Sequence, residues 1–204
     1  MNKLLVFEGI DSSGKSTQIK LLEEKLKDNN IEFITFREPG GNNVSEKIRE
    51  ILLDKTFDIC DETETLLFLS SRAQNTKFGI IPELEKNKFV ICDRYADSTL
   101  AYQGYGKKIN KDLINSFNIF ATQKIEPKLT IILDIDLKIS KIRNLNDKDR
   151  MEQNSDIFFH NVIAGYRRLA SSKPSKYFLI DADQNVEKIH KLIWDKILME
   201  FDLC

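Results

Sequence analysis

Histidine, cysteine, proline and glycine are scarce in this chain: two, three, four and eight residues in 204. Each scarcity excludes something. The cysteines, Cys60, Cys92 and Cys204, are odd in number and scattered, with no CxxC pair, so neither a disulfide framework nor a zinc site is expected. His160 and His190 lie far apart and receive no metal or catalytic part. Few prolines and glycines, and no Ser-rich tract, leave no linker to divide the chain, so one domain over 1–204 is expected. Charge of neither sign is in excess: 31 basic residues face 32 acidic ones, for a net −1. The basic bias of a nucleic-acid binder is therefore missing. No apolar run approaches the roughly 18 residues of a membrane span, and the start reads as a strand rather than a signal peptide. Neither nucleic acid nor membrane is an expected partner, and a reducing cytoplasm is the expected compartment.

What is present centres on Lys3 to Thr17, KLLVFEGIDSSGKST. Leu4–Phe7 is a short continuous apolar run, the pattern of a strand buried on both faces. It runs into the phosphate-loop pattern GxxxxGK[ST], comprising Gly9, Ile10, Asp11, Ser12, Ser13, Gly14, Lys15 and Ser16, with Thr17 next in the chain. Glycines let backbone N–H groups close around phosphate oxygens. Lys15 brings a charge to the β- and γ-phosphates, and the Ser16 hydroxyl is placed for Mg²⁺. Ile19, Leu22 and Leu26 give the following segment a helical apolar stripe, so strand, loop and helix occur in the required order and a nucleoside triphosphate is expected to bind.

Four more apolar runs read as strands: Phe33–Phe36, Phe89–Cys92, Leu129–Asp134 and Tyr177–Ile180. Helical spacing lies between them, and this alternation predicts an α/β fold, a five-stranded parallel sheet flanked by helices on both faces. Each run ends in charged or glycine-containing sequence, and ligands of such sheets bind at the carboxyl ends of strands. One site built around the phosphate loop is therefore expected.

The remaining candidates follow in chain order. Arg37 opens REPGG, a tight turn with a guanidinium suited to a second phosphate, or else an exposed surface turn. Asp61–Lys86 predicts a long helix, interrupted near Gly79 and Pro82, with Asp61 as N-cap and Glu64 completing a capping box. Phe68 and Arg72 share its face four residues apart, either as core or as a holder for a planar base. Asp93-Arg94-Tyr95 closes the third strand, where an acid often stands near Mg²⁺. Ser98, Thr99, Tyr102 and Gln103 follow on a short helix. Ile139–Glu152 alternates charges, including Lys141, Arg143 and Arg150; it reads either as a solvated face or as a lid over the transferring group. Asn144–Lys148 is the expected mobile loop, and Asp156–Ser172 and Asn185–Phe201 are expected covering helices.

These residues resemble the thymidylate kinases, a family of phosphate-loop nucleoside monophosphate kinases. EGIDSSGKST at Glu8–Thr17, REPGG at Arg37–Gly41, LLFLSSRAQ at Leu66–Gln74 and DRYADSTLAYQG at Asp93–Gly104 coincide in the family's order, and DRMEQ at Asp149–Gln153 occupies its lid position. The resemblance implies transfer of the γ-phosphate of ATP to dTMP. By position, Lys15 and Ser16 hold the ATP phosphates and Mg²⁺, with Asp93 supporting the metal. Asp11 lies near the acceptor's sugar and phosphate, and Arg37 and Arg94 clamp that phosphate. Phe68 stacks on the base, Arg72, Thr99 and Gln103 line its edge with Ser98 nearby, and Tyr102 sits below the sugar. Ser12 and Ser13 stand where some members carry a loop arginine, so the catalytic arginine is expected from the lid: Arg143 or Arg150, with Lys141 a further candidate. The family also implies a homodimer through helices that include Asp61–Phe78. Three other readings remain. A kinase for another nucleoside or nucleoside monophosphate would lack the AYQG string, and a GTP switch would need an NKxD sequence, which Asn87-Lys88-Phe89-Val90 does not supply. An inactive nucleotide-binding scaffold would not require Lys15, Asp93 and Arg94.

Overall fold

The computed structural model describes residues 2–144 and 149–203. Strand β1 (Leu4–Glu8) is buried along its whole length at the centre of a sheet of five strands among the described residues. The others are β2 (Phe33–Arg37), β3 (Phe89–Asp93), β4 (Leu129–Asp134) and β5 (Tyr177–Asp181), in the order β2–β3–β1–β4–β5, all parallel. Four of them run one residue beyond the apolar stretch that announced them. The ladder carries the charged ends into register, with Glu8 opposite Ile132, Arg37 opposite Asp93, and Asp134 opposite Asp181. The chain leaves β1 for one side of the sheet and returns for β4 and β5 on the other. The crevice at this switch point opens at the carboxyl end of β1, where the phosphate loop follows.

Helices α1 (Lys15–Asp28), α2 (Asn43–Leu53), α3 (Asp61–Asn75), α4 (Ile81–Glu85), α5 (Ala96–Thr99), α6 (Lys111–Ala121), α7 (Leu137–Arg143), α8 (Asp156–Ser172) and α9 (Val186–Glu200) cover the sheet. Alternate residues of β1 face opposite ways, as the two-residue period of a strand requires. Leu5 and Phe7 join the larger core with Leu22 and Leu26 of α1, Val162 of α8, and Ile193 and Ile197 of α9. Leu4 and Val6 join a smaller core with Phe36, Ile80, Val90, Cys92 and Tyr95. Among the described residues no helix is long and apolar enough to cross a membrane.

The helix expected over Asp61–Lys86 forms as α3, a π-helical turn over Thr76–Ile80, and α4. Gly79 does not interrupt it. A Cβ there would meet the Phe36 ring at 2.7 Å, so this glycine serves close packing. Pro82 is the second residue of α4, directly after the π-helical turn, so the run stays helical through a residue that has no N–H to donate. Asp61 is not the N-cap: Cys60 holds that position and Asp61 begins the helix. Glu64 forms no capping box either, because its side chain is buried against Lys107 and Gln103. A second π-helical turn, Leu100–Gly106, follows α5 directly. Of the expected lid, α7 carries Arg143, and a short 3₁₀ turn, Met151–Gln153, follows Arg150. Of the loop expected at Asn144–Lys148, positions 145–148 lie outside the described residues, while Asn144 donates to Glu152 at 2.8 Å.

Candidate active site

Gly9 leaves β1 at φ +136°, and a Cβ there would come within 2.6 Å of the Leu133 carbonyl oxygen. Glycine is thus required twice over, by conformation and by space. Gly14, at φ +97°, caps α1, whose first residue is Lys15. Lys15 is buried and bends back over its own loop, donating to the carbonyls of Gly9 at 3.1 Å and Ile10 at 3.0 Å. Burial lowers its pKa, Arg94 adds to that, and Asp93, Asp11 and Glu8 oppose it. Above the loop lies a cleft of about 680 Å³, lined by Asp11–Gln18, Arg37, Glu38, Arg49, Asp93, Arg94 and Arg143 among others. Lys15, Arg37, Arg49, Arg94 and Arg143 therefore face one space, an arrangement that concentrates polyanions.

Arg94 follows β3 with φ +72°, a left-handed conformation that costs a non-glycine residue on the order of 1 kcal/mol. Its surroundings hold it there. Its backbone N–H donates to the Phe7 carbonyl at 2.9 Å. Its guanidinium donates to Asp11 at 2.7 Å, the Tyr102 hydroxyl at 3.2 Å and Ser98 Oγ at 3.3 Å. Burial alone would raise the Asp11 pKa, but Arg94 and Lys15 outweigh it and hold Asp11 below the usual range. Behind this layer Glu8 is fully buried, accepting from Tyr95 N at 2.9 Å, Ser98 N at 3.1 Å, Ser98 Oγ at 2.6 Å and Tyr166 OH at 2.8 Å. Burial, then the charge of Asp97, push the Glu8 carboxyl up to about 7.

A second, smaller cavity of about 100 Å³ is lined by Leu53, Phe68, Ser98, Thr99, Tyr102, Gln103, Asp149 and Met151. It shares Asp11, Arg49 and Arg94 with the large cleft. The two spaces thus adjoin at these three residues. Arg72 lies behind the wall rather than in the lining. It is 2% exposed and donates to Glu38 at 2.9 Å, Thr99 Oγ1 at 2.6 Å, Asn118 at 2.8 Å and the Tyr95 carbonyl at 2.7 Å. Since the Thr99 oxygen already accepts from Arg72, its hydroxyl proton is free to be donated.

The two arginines of the expected lid go to different places. Arg143, at the end of α7, lines the large cleft and donates to the Ala182 carbonyl at 3.1 Å. Arg150 instead donates to the Leu52 carbonyl at 2.8 Å and pairs with Glu64 at 2.7 Å. Lys141 pairs with Asp156. Arg37 lines the cleft while paired to Glu46 at 3.1 Å. Ser16 and Asp93 share the cleft, and Asp93 Oδ1 is buried without a hydrogen-bond partner among the described residues. Arg49, Glu8 and Tyr166 are residues of the site that sequence reasoning missed. Arg49 stands three residues after Glu46 in α2 and reads as part of a solvated face. Glu8 carried the better signal, a carboxylate closing an apolar strand.

A family model described as thymidylate kinase matches residues 7–193. The thymidylate kinase of Kosmotoga olearia is 43% identical over 200 residues, covering 97% of this chain and 94% of that protein. That of a Thermoanaerobacter species is 42% identical over 196 residues, covering 96% and 97%. That of Nostoc punctiforme is 39% identical over 196 residues, covering 94% and 93%. With a cationic phosphate-loop cleft meeting a small aromatic and amide-lined pocket, and with relatives matched along nearly their whole length, the chain belongs to the thymidylate kinase family.

Proposed function

We propose that this protein transfers the γ-phosphoryl group of ATP to dTMP, giving dTDP and ADP. One observation carries the reading: the phosphate-loop cleft and the small pocket adjoin at Asp11, Arg49 and Arg94. A triphosphate on the loop and a monophosphate at Arg94 then approach each other from opposite sides. An oxygen of the dTMP phosphate attacks the γ-phosphorus, and the bond to the β–γ bridging oxygen breaks, leaving ADP. Such transfer runs on positioning and charge neutralisation.

The residues divide by the space they line. Gly9–Thr17 surround the triphosphate, and Lys15 releases its loop carbonyls to meet the β- and γ-phosphates. Arg94, supported by Arg37 and Arg49, holds the acceptor phosphate, and Asp11 keeps Arg94 in place. Arg143 is the lid arginine facing the transferring group. Phe68 stacks on the base, Thr99 and Gln103 meet its edge, and Tyr102 lies under the sugar. Mg²⁺ fits this site: the Ser16 hydroxyl and the orphaned Asp93 oxygen are hard oxygen donors, and Mg²⁺ takes few protein ligands beside substrate phosphates. When bound with ATP, it would neutralise phosphate charge.

The protein acts as a homodimer in this reading. Where α3 meets α6, Leu66, Leu69, Ala73, Phe117 and Phe120 line an apolar surface hollow of about 480 Å³, and Phe120 is 82% exposed. An apolar patch of this kind marks an interface, and a second copy of the same helices is its occupant. The function is tested by a coupled ADP-release assay with ATP and a panel of nucleoside monophosphates. Turnover with dTMP that disappears in Lys15→Ala is expected; preference for another monophosphate overturns the reading.

A further inference from the structure

Glu64 of α3 is fully buried and takes no part in the transfer described above. Side chains from three directions meet its carboxylate. Lys107 Nζ lies 2.9 Å from Oε1, Arg150 Nη2 lies 2.7 Å from Oε2, and the amide nitrogen of Gln103 donates to Oε1 at 3.0 Å. Between two cations at contact distance it is a carboxylate, and a carboxylate only accepts hydrogen bonds. A side-chain amide facing it has one permitted orientation, with its NH₂ toward Glu64 and its oxygen away. Gln103 lines the small cavity, so this orientation turns an acceptor toward whatever base lies there.

We propose that Glu64 is a positioning residue that sets the hydrogen-bond polarity of the base pocket, and so its choice among pyrimidines. The inference rests on the dTMP reading. Thymine and uracil carry an N–H at ring position 3, which the Gln103 oxygen can accept. Cytosine carries a bare nitrogen there, and its lone pair would face that of the amide oxygen. Turning the amide would reverse the preference, and Glu64 prevents the turn. Without an anion behind it, Gln103 pairs with either base. Specificity against cytosine is thereby built from a residue outside the cavity lining, because unpaired buried polar groups discriminate far more strongly than lost methyl groups.

The test compares kcat/KM for dTMP and dCMP in the wild type, Glu64→Gln and Lys107→Met. Glu64→Gln keeps the shape but can donate or accept, which frees the Gln103 amide. It is expected to raise the dCMP-to-dTMP ratio at least about tenfold, with KM for ATP unchanged. Lys107→Met removes a cation from Glu64 but leaves the carboxylate facing Gln103, and should keep the ratio within about twofold. A ratio unmoved in active Glu64→Gln overturns the proposal. So does an equal change in both variants, which would mean that Glu64 is only part of a charge network. If Glu64→Gln fails to fold, the ratio is read in Glu64→Asp, whose carboxylate is drawn back by one methylene; a rise supports the proposal and no change overturns it. Wild-type protein inactive on dTMP would instead defeat the functional reading itself.

Discussion

Arg94 Nη2 lies 2.7 Å from Asp11 Oδ1, with the arginine backbone held at φ +72°. A left-handed residue at the end of a strand turns its side chain back across the sheet edge, and this one is aimed where the two cavities join. Asp11 makes the aim permanent, at the cost of competing for the charge that an acceptor phosphate would use. Arg94→Ala should therefore weaken dTMP far more than ATP. Losing a charge-assisted contact costs about 1.5–3 kcal/mol, or roughly 10- to 150-fold in affinity. Titration calorimetry with each nucleotide checks this, and equal losses would place Arg94 on the ATP side.

The separation of Arg143 from Arg150 gives the second prediction. Arg143 faces the phosphate cleft, whereas Arg150 is held by Glu64 and the Leu52 carbonyl. Arg143→Ala should lower kcat by roughly 10²–10³, the usual loss for one donor to developing charge. Arg150→Ala should leave the transfer step itself largely intact but reduce thermal stability, because it strips a cation from buried Glu64. Single-turnover kinetics separate the two; a larger loss of chemistry in Arg150→Ala would reverse the assignment.

Much of this architecture was legible in the sequence, for identifiable reasons. The strands of a parallel sheet are apolar on both faces, so Leu4–Phe7 and its counterparts could be read directly, and the glycines of the loop follow from Gly9's lack of room. The strand ends were less legible, because the ladder carries Glu8, Arg37, Asp93 and Asp181 past the last apolar residue. Arg72 could not be placed by spacing. An arginine four residues after Phe68 shares its helical face, yet whether it reaches the ligand depends on Glu38, Thr99, Asn118 and Tyr95, which come from three separate segments. Tyr166 was invisible for the same reason. In a covering helix it reads as core, and only the fold brings its hydroxyl to Glu8.

Glu8 supplies a pH prediction. Its carboxyl is raised from an ordinary 4.5 to about 7, chiefly by burial. A carboxyl raised on folding adds stability that is complete below pH 4.5 and lost as the pH climbs through about 7. The gap corresponds to roughly 3 kcal/mol at most. Glu8→Gln cannot ionise, so the wild type should lose stability relative to this variant between about pH 5 and pH 8. Denaturant unfolding of both proteins across that range is the check. Parallel curves would show that the hydrogen bonds from Tyr95, Ser98 and Tyr166 cancel the burial.

The exposed aromatic on α6 gives a prediction about assembly. Phe120 is 82% exposed beside the hollow between α3 and α6. Phe120→Asp places a charge in the patch and, on the homodimer proposed above, should shift sedimentation from dimer to monomer. Because the side chain lies at the surface of the subunit, fold stability of the monomer should change by no more than about 0.5 kcal/mol. A wild-type protein that sediments as a monomer at all concentrations would refute the dimer.

Tyr102 provides the sharpest test of the sugar site, because dUMP and UMP differ only in the 2′-hydroxyl. The ring is fixed on several sides: Phe158 and Tyr166 meet it edge to face at 6.0 and 6.5 Å, and the Arg94 guanidinium lies 5.1 Å from its centroid. It cannot retreat from an added oxygen without disturbing those neighbours. UMP should therefore fall about 10²-fold below dUMP in kcat/KM, the discrimination that a rigid wall gives against one extra hydroxyl. The phenol and the ring have separable parts. The hydroxyl accepts from Arg94 at 3.2 Å, whereas the ring supplies the wall. Tyr102→Phe should then weaken dTMP modestly, by about 0.5–1.5 kcal/mol for a lost hydrogen bond, while leaving the dUMP-to-UMP ratio within about threefold. If the ratio collapses in Tyr102→Phe, the exclusion depends on the hydroxyl and its hold on Arg94 rather than on the wall. If UMP and dUMP are equal in the wild type, the sugar does not lie over Tyr102 at all.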